Sequence, residues 1–389
     1  MTSDSTRRGF LTATAALVGA ALPLNIVRSQ DAKKKSAAVA KAAVKPDAVW
    51  HNVADSSWGV EGKGWSASET ERYYDRLPIK AKGKVRDAVW GLSRDSAGMV
   101  ARFETNARAI HVRYKLRSAR LDMPHMPATG VSGLDLYARD DQGRERWVDV
   151  TRPAAQVVEE TIGAGVDALP NGARRQFALY LPLYNGVESL EVGVDPKADF
   201  APLPPRKAKS IVFYGTSIMH GACASRPGMS ISALVGRRFD RPTINLGFSG
   251  NGRMEAEVGA LLAELDPAVY AIDCLPNMGG AEVAERAEAL VKQLRQARPE
   301  TPILLVEDRT FTNAAFRASM RNHHAASRAA LRKAYENLTA AGVKHLSYLE
   351  GQAILGDDGE AATDGSHPND LGMVRYADAY EKALRPLLG

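Results

Sequence analysis

Cysteine is almost missing from this 389-residue chain, which holds only Cys223 and Cys274. That scarcity excludes a disulfide-dense scaffold and a four-cysteine zinc site, and it leaves room for one bridge. Metal motifs are missing too. No H-E-x-x-H occurs, the adjacent His323 and His324 cannot both face one metal from a helix, and Asp357-Asp358-Gly359 lacks the alternating acidic ligands of a calcium loop. Long apolar runs are absent as well: the longest candidate, at 10–24, has about 15 residues, fewer than the roughly 18 a spanning helix needs. The folded body also carries no net charge. All of the formal +6 sits in residues 1–46, where eight Lys and Arg face two Asp, so 47–389 sums to zero. Without a basic field or a basic block interleaved with aromatics, a nucleic-acid partner is not expected. What is present, 45% hydrophobic and 25% charged residues with 33 Gly and 20 Pro, is the composition of a globular protein.

The N-terminal charge has its own reading. Thr6-Arg7-Arg8-Gly9-Phe10-Leu11 is a twin-arginine pattern before the Ala-rich apolar run. Residues 1–29 are therefore expected to be an export signal, placing the protein in the periplasm or outside the cell, with no stable membrane insertion beyond the signal. Residues 30–46, rich in Lys and Ala and lacking a hydrophobic stripe, read as a linker.

The remainder divides near residue 200. Over 47–203 short strand-like runs at 99–104, 109–116, 134–138, 145–149, 176–181 and 187–194 alternate with turn residues. Ile110, Val112, Tyr114 and Leu116 alternate with polar neighbours, the period of two of a sheet with one buried face, so this half is expected to be a β-sandwich. Its Trp50, Trp58, Trp65 and Trp90 are read as packing residues in preference to a sugar platform. Ala201-Pro202-Leu203-Pro204-Pro205 breaks regular structure. Over 204–389 apolar strands at 210–214, 243–246, 268–273, 303–307 and 344–348 alternate with amphipathic helices, ending in one at 371–387. That alternation predicts a parallel sheet covered on both faces, with its ligand crevice beyond the carboxyl ends of the strands.

At those ends sit Gly215-Thr216-Ser217-Ile218, then Gly247-Phe248-Ser249-Gly250-Asn251-Gly252, then Asp273-Cys274-Leu275-Pro276-Asn277, and finally Asp364-Gly365-Ser366-His367. The glycine run is G-x-x-G-x-G after the second strand, which does not fit a dinucleotide turn. A serine hydroxyl becomes a nucleophile when a base takes its proton, and an imidazole suits that task near neutral pH. His367 is the candidate base, Asp364 the carboxylate that orients it, and Ser217 the nucleophile. The tetrahedral intermediate needs donors for its oxyanion. The Ser217 and Gly250 N–H groups and the Asn277 amide are available. No metal or organic cofactor is required.

Gly-Thr-Ser-Ile at 215–218, Gly250, Asn277 and Asp364-x-x-His367 resemble the four sequence blocks of the SGNH (GDSL-like) hydrolase superfamily, in the same order. Gly133-Leu134-Asp135-Leu136-Tyr137 is similar to the G-x-D-L-Y motif of the β-domain that precedes one esterase branch. The resemblance implies a jelly-roll-like β-sandwich followed by a flavodoxin-like three-layer α/β/α domain, and the site roles given above. Thr216 stands where the family name has Asp, and Leu275-Pro276-Asn277 replaces the usual Gly-x-Asn. The run 221–228 also resembles that branch and places Arg226 near the mouth as a substrate binder. Cys223 and Cys274 fall in segments expected near the active edge, either paired or as two buried thiols. The expected function is an exported serine esterase removing acetyl or other short acyl groups from a small-molecule or polysaccharide ester. A lipid or aryl-ester hydrolase, and a silent carbohydrate-binding protein, are the alternatives.

Overall fold

The computed structural model describes residues 47–55 and 57–388; the twin-arginine pattern, the apolar run and the 30–46 linker lie outside the described residues. The chain begins with nine strands: β1 (Val49–Asn52), β2 (Val100–Thr105), β3 (Ala109–Leu116), β4 (Asp135–Arg139), β5 (Glu145–Val150), β6 (Val157–Ala164), β7 (Arg175–Tyr180), β8 (Val187–Val194) and β9 (Phe200–Pro202). They form two antiparallel sheets, ordered β1-β8-β3-β6 and β5-β4-β7-β2-β9. Ile110, Val112, Tyr114 and Leu116 on β3 pack with Phe103, Leu136, Phe177, Leu179 and Val192 in one buried cluster, as the alternation of the sequence predicts. Three strands escape the sequence pattern. β1 and β9 are short edge strands paired on one side only, and β6 meets β3 through a register shift at Ile110/His111 that interrupts the period of two.

Five parallel strands follow: β10 (Ile211–Gly215), β11 (Thr243–Gly247), β12 (Val269–Asp273), β13 (Ile303–Val306) and β14 (Leu346–Leu349), in the order β11-β10-β12-β13-β14. Both faces are buried. Val212, Tyr214, Tyr270, Ile272, Ile303 and Leu305 belong to one core cluster, and Ile211, Phe213, Val269, Ala271, Leu304 and Val306 to the other. Helices Ala256–Glu264, Gly280–Ala297 and Ala325–Ala340 cover the first face; Ile231–Arg238 and Asp370–Leu388 cover the second. Each large apolar side chain so enclosed contributes about 1.5–3 kcal/mol. In this strand order the chain leaves β10 in one direction for β11 and then crosses back to β12, so the crevice opens at the carboxyl end of β10. Among the described residues no helix is long and apolar enough to cross a membrane.

The division at the proline stretch is not a division of cores. Trp65, Leu77, Ala81, Val85 and Val89, from the connection between β1 and β2, pack with Val212, Tyr214 and Leu246. Trp58 and Trp65 are buried, consistent with packing.

A second tie uses the 133–137 motif. At the start of β4, Leu136 and the preceding Leu134 point into the sandwich core while Asp135 and Tyr137 face the other half. The fully buried Asp135 carboxylate accepts from Trp147 Nε1 (2.9 Å), Arg226 Nη1 (2.9 Å) and the Gly228 N–H (2.8 Å). The Arg226 guanidinium also meets the Tyr137 hydroxyl and lies 5.1 Å from the centre of the Trp147 ring. Gly228 must be glycine here, because a Cβ would stand 2.4 Å from the Tyr137 ring and 2.8 Å from Asp135 Oδ2. Arg226, expected to bind substrate, is thus paired with the buried Asp135, and among the described residues no other cation offsets the cost of that carboxylate leaving water.

Arg226→Met leaves that carboxylate buried without its cation, and a loss of about 3 kcal/mol in unfolding free energy is expected from denaturant titration. Adding Asp135→Asn to the same chain should recover part of the loss, because the uncompensated charge is then gone.

Candidate active site

β10 ends at Gly215, and the buried Thr216 caps the following turn of helix, Ser217–His220, by accepting from the Ile218 N–H (3.3 Å). Thr216 thus has a structural task that needs an oxygen and no titratable proton. Ser217 opens this helix at the carboxyl end of β10, where its own N–H has no intrahelical partner.

Ser217 Oγ lies 2.9 Å from His367 Nε2, although 150 residues separate them in sequence. On the far side of the ring His367 Nδ1 lies 2.8 Å from Asp364 Oδ2. The other carboxylate oxygen, Asp364 Oδ1, accepts from the His367 N–H (2.7 Å) and the Ser366 N–H (2.9 Å). Partial burial pushes the Asp364 pKa up, but the hydrogen bonds from His367 and Ser366 outweigh it and hold the carboxyl down to about 2. An ionised carboxylate fixes the proton on Nδ1 and leaves Nε2 to accept from the serine.

The loop bearing these residues is built from behind. Its ends pair through Ala362 and Pro368, and the Thr363 N–H donates to the His367 carbonyl (2.9 Å). Arg309, just beyond β13 and 2% exposed, donates from Nε to the Ser366 carbonyl (2.9 Å) and from Nη2 to the Ser366 hydroxyl. Its charge is met by Asp308, which is itself 2.6 Å from His324 Nδ1. His324 is buried, because Asp308 and the Phe311 ring enclose it; His323 remains exposed. Asp308-Arg309 directly follows an apolar strand, and that position beyond the carboxyl end of a strand was the available signal in the sequence.

Gly250 and Asn277 lie beyond the carboxyl ends of β11 and β12, the two strands that flank β10. Gly250 sits in a turn with φ +69°, a conformation that glycine adopts without strain, and its N–H makes no hydrogen bond among the described residues. Asn277 lies in the turn after β12; with its amide oxygen accepting from the Asn251 N–H (2.9 Å) and the Gly252 N–H (3.2 Å), its NH2 remains as the donor. The strand leading into the Gly250 turn is held by the buried Arg76, which donates to the Asn245 (3.1 Å) and Gly247 (2.8 Å) carbonyls. Tyr184 donates to the Ser217 carbonyl (3.3 Å) and stacks on His220. Arg76 and Tyr184 come from the first half of the chain and carry no motif, so sequence reasoning passed over both.

The two cysteines are free thiols. Cys274 is buried in the core on one face of the sheet with its Sγ 3.7 Å from the Tyr214 carbonyl. Cys223 stands beside Thr363 on the loop side, where burial pushes its thiol up to about 11. They occupy different layers, which settles the alternative left open by the sequence in favour of two thiols.

Residues 208–385 match the GDSL-like Lipase/Acylhydrolase family, and residues 48–200 match the family described as the N-terminus of Esterase_SGNH_hydro-type. A solved structure from Bacteroides ovatus described as a GDSL-like lipase is 31% identical with a TM-score of 0.81, over 88% of this chain and 98% of that one. A salicylyl-acyltransferase from a tetracycline biosynthetic pathway is 19% identical with a TM-score of 0.66, over 88% and 98%. An acetyl xylan esterase from Butyrivibrio proteoclasticus is 11% identical with a TM-score of 0.53, over 88% and 99%. At those identities the last two share the fold. A search of curated proteins returns no match.

Asp364→Asn keeps the shape of the loop but presents an amide to Nδ1, and kcat for a short acyl ester should fall by about 10⁴-fold with the thermal midpoint little changed. Since the carboxyl is held at about 2, below the ~3.9 of an unfolded chain, its stabilising effect is present above pH ~4 and is lost as pH falls through about 2. Circular dichroism should therefore show no loss of stability from this carboxylate until the pH falls below about 4.

Proposed function

The chain belongs to the GDSL-like lipase/acylhydrolase family and is an esterase, and on that premise we propose that it hydrolyses acetyl or other short acyl esters of carbohydrate through Ser217, His367 and Asp364. The observation that carries this reading is the continuous relay of 2.9 Å from Ser217 to His367 and 2.8 Å from His367 to Asp364. His367 Nε2 takes the serine proton as Oγ attacks the ester carbonyl. The N–H groups of Ser217 and Gly250 and the Asn277 NH2 receive the negative charge that forms on the carbonyl oxygen; one such donor is typically worth about 2.7–4 kcal/mol of the barrier. The imidazolium then protonates the departing alcohol, and water repeats the sequence on the acyl-enzyme to free the acid.

The carbohydrate assignment draws support from the fold shared with the acetyl xylan esterase over 88% of this chain and 99% of that one. It is a fold-level analogy. Export is proposed from the twin-arginine pattern at Arg7-Arg8 and the apolar run after it. In an exported protein a polymeric acetylated glycan is an accessible substrate.

Ser217→Ala should lower hydrolysis of 4-nitrophenyl acetate by at least about 10³-fold while the circular dichroism spectrum is retained. Retained turnover would overturn the mechanism. Acetate release from acetylated xylan should exceed release from a long-chain ester, and the opposite ranking would transfer the assignment to a lipid esterase.

A further inference from the structure

The first half of the chain reaches the catalytic centre at one more place. Between β3 and β4 the chain makes a tight turn at 123–126, closed by two reciprocal backbone hydrogen bonds of 3.0 Å between Met123 and Met126. Met126 is 2% exposed and packs in the core on the second face of the parallel sheet, with Met123 against it. The turn is thereby anchored to the hydrolase half, and it presents Pro124 and His125 at its tip. The ring of His125 lies 6.0 Å from that of His367, tilted by 31°. Its ring nitrogens have no hydrogen-bond partner among the described residues, and the side chain is half-buried.

His125 forms one wall of a shallow cleft of about 570 Å³ whose other walls include Cys223, Glu360, Thr363 and Asp370. Thr363 is bonded through its N–H to the carbonyl of His367 and the His125 ring stands beside the His367 ring, so the cleft adjoins the residue that carries the catalytic imidazole. The oxyanion donors, Gly250 and Asn277, do not line it. The chemistry distinguishes these two sides. The group that departs must receive its proton from His367 Nε2, so the alcohol part of the ester has to lie beside the imidazole. The carbonyl oxygen lies toward the donors.

We propose that the cleft between the 123–126 turn and the 360–371 segment is the alcohol subsite of the esterase, selecting a neutral, hydroxylated leaving group through hydrogen bonds from His125. This inference rests on the esterase reading above and extends it to the residue that recognises the alcohol. The lining suits such a group. It combines an unpaired imidazole and a threonine hydroxyl with the carboxylates of Glu360 and Asp370, and contains no lysine or arginine. Asp370 is already engaged by the N–H (2.9 Å) and hydroxyl of Ser225, which leaves Glu360 as the acidic wall. An anionic alcohol such as a uronate meets like charge there, whereas sugar hydroxyls can donate to it.

The test compares His125→Ala and His125→Gln with the wild type on an acetylated methyl xyloside and on 4-nitrophenyl acetate. The ratio of kcat/KM for the sugar ester over the aryl ester should fall about 3- to 10-fold in His125→Ala, mainly through KM, as expected for one lost hydrogen bond to a neutral group. His125→Gln should restore part of it. A ratio that stays constant in a folded His125→Ala variant overturns the proposal, as does an equal preference of the wild type for acetylated methyl xyloside and acetylated methyl glucuronoside. If the wild type cleaves 4-nitrophenyl acetate and no acetylated sugar, the carbohydrate assignment itself fails, and that result is read before any variant is made.

Discussion

A single hydrogen bond, from Ser217 Oγ to His367 Nε2, imposes the heaviest demand on this structure, since it closes a loop of 150 residues. The bond itself is worth little against the entropy of bringing such distant segments together. The parallel sheet does that work. Strands buried on both faces lock β10 between β11 and β12, and the packing of the Asp370–Leu388 helix on the second face returns the chain to the end of β10. The reactive pair is a by-product of two apolar layers being satisfied at once.

Buried arginines then fix the loops that the sheet leaves free. Arg309 holds the Asp364–His367 turn through Ser366, and Arg76 holds the strand end that leads into the Gly250 turn. Arg76 donates to the carbonyls of Leu92, Asp95, Asn245 and Gly247, and Arg309 to the Ser366 carbonyl, groups that irregular segments leave unpaired. A guanidinium suits this because its planar fork reaches several acceptors from one position. Burial lowers the Arg76 pKa to about 10, which still leaves it charged at neutral pH.

The sandwich is more than an appendage. Asp135 and Tyr137 turn one strand of it toward the hydrolase half, Arg226 and Gly228 receive them, and the 123–126 turn brings His125 to the catalytic imidazole. The connection from 65 to 89 even shares a core with the parallel sheet. The two halves are therefore expected to unfold together, because neither can separate without exposing that cluster and the buried Asp135.

Periodicity made the strand and helix order readable before any coordinates, because burial on one or both faces leaves a repeating apolar record in the residues themselves. The blocks at 215–218, 247–252, 273–277 and 364–367 were legible for a related reason: each follows directly on a regular element, so its place at the sheet edge follows from that element. The short edge strands, the bulged β6, the burial of His324 and the pairing of Arg226 with Asp135 were not legible. The same is true of Arg76, Arg309 and His125. Local chemistry determined which residues were able to react, whereas long-range packing alone decided which neighbour each charged or aromatic side chain would meet, because those partners lie tens to hundreds of residues apart and leave no periodic trace.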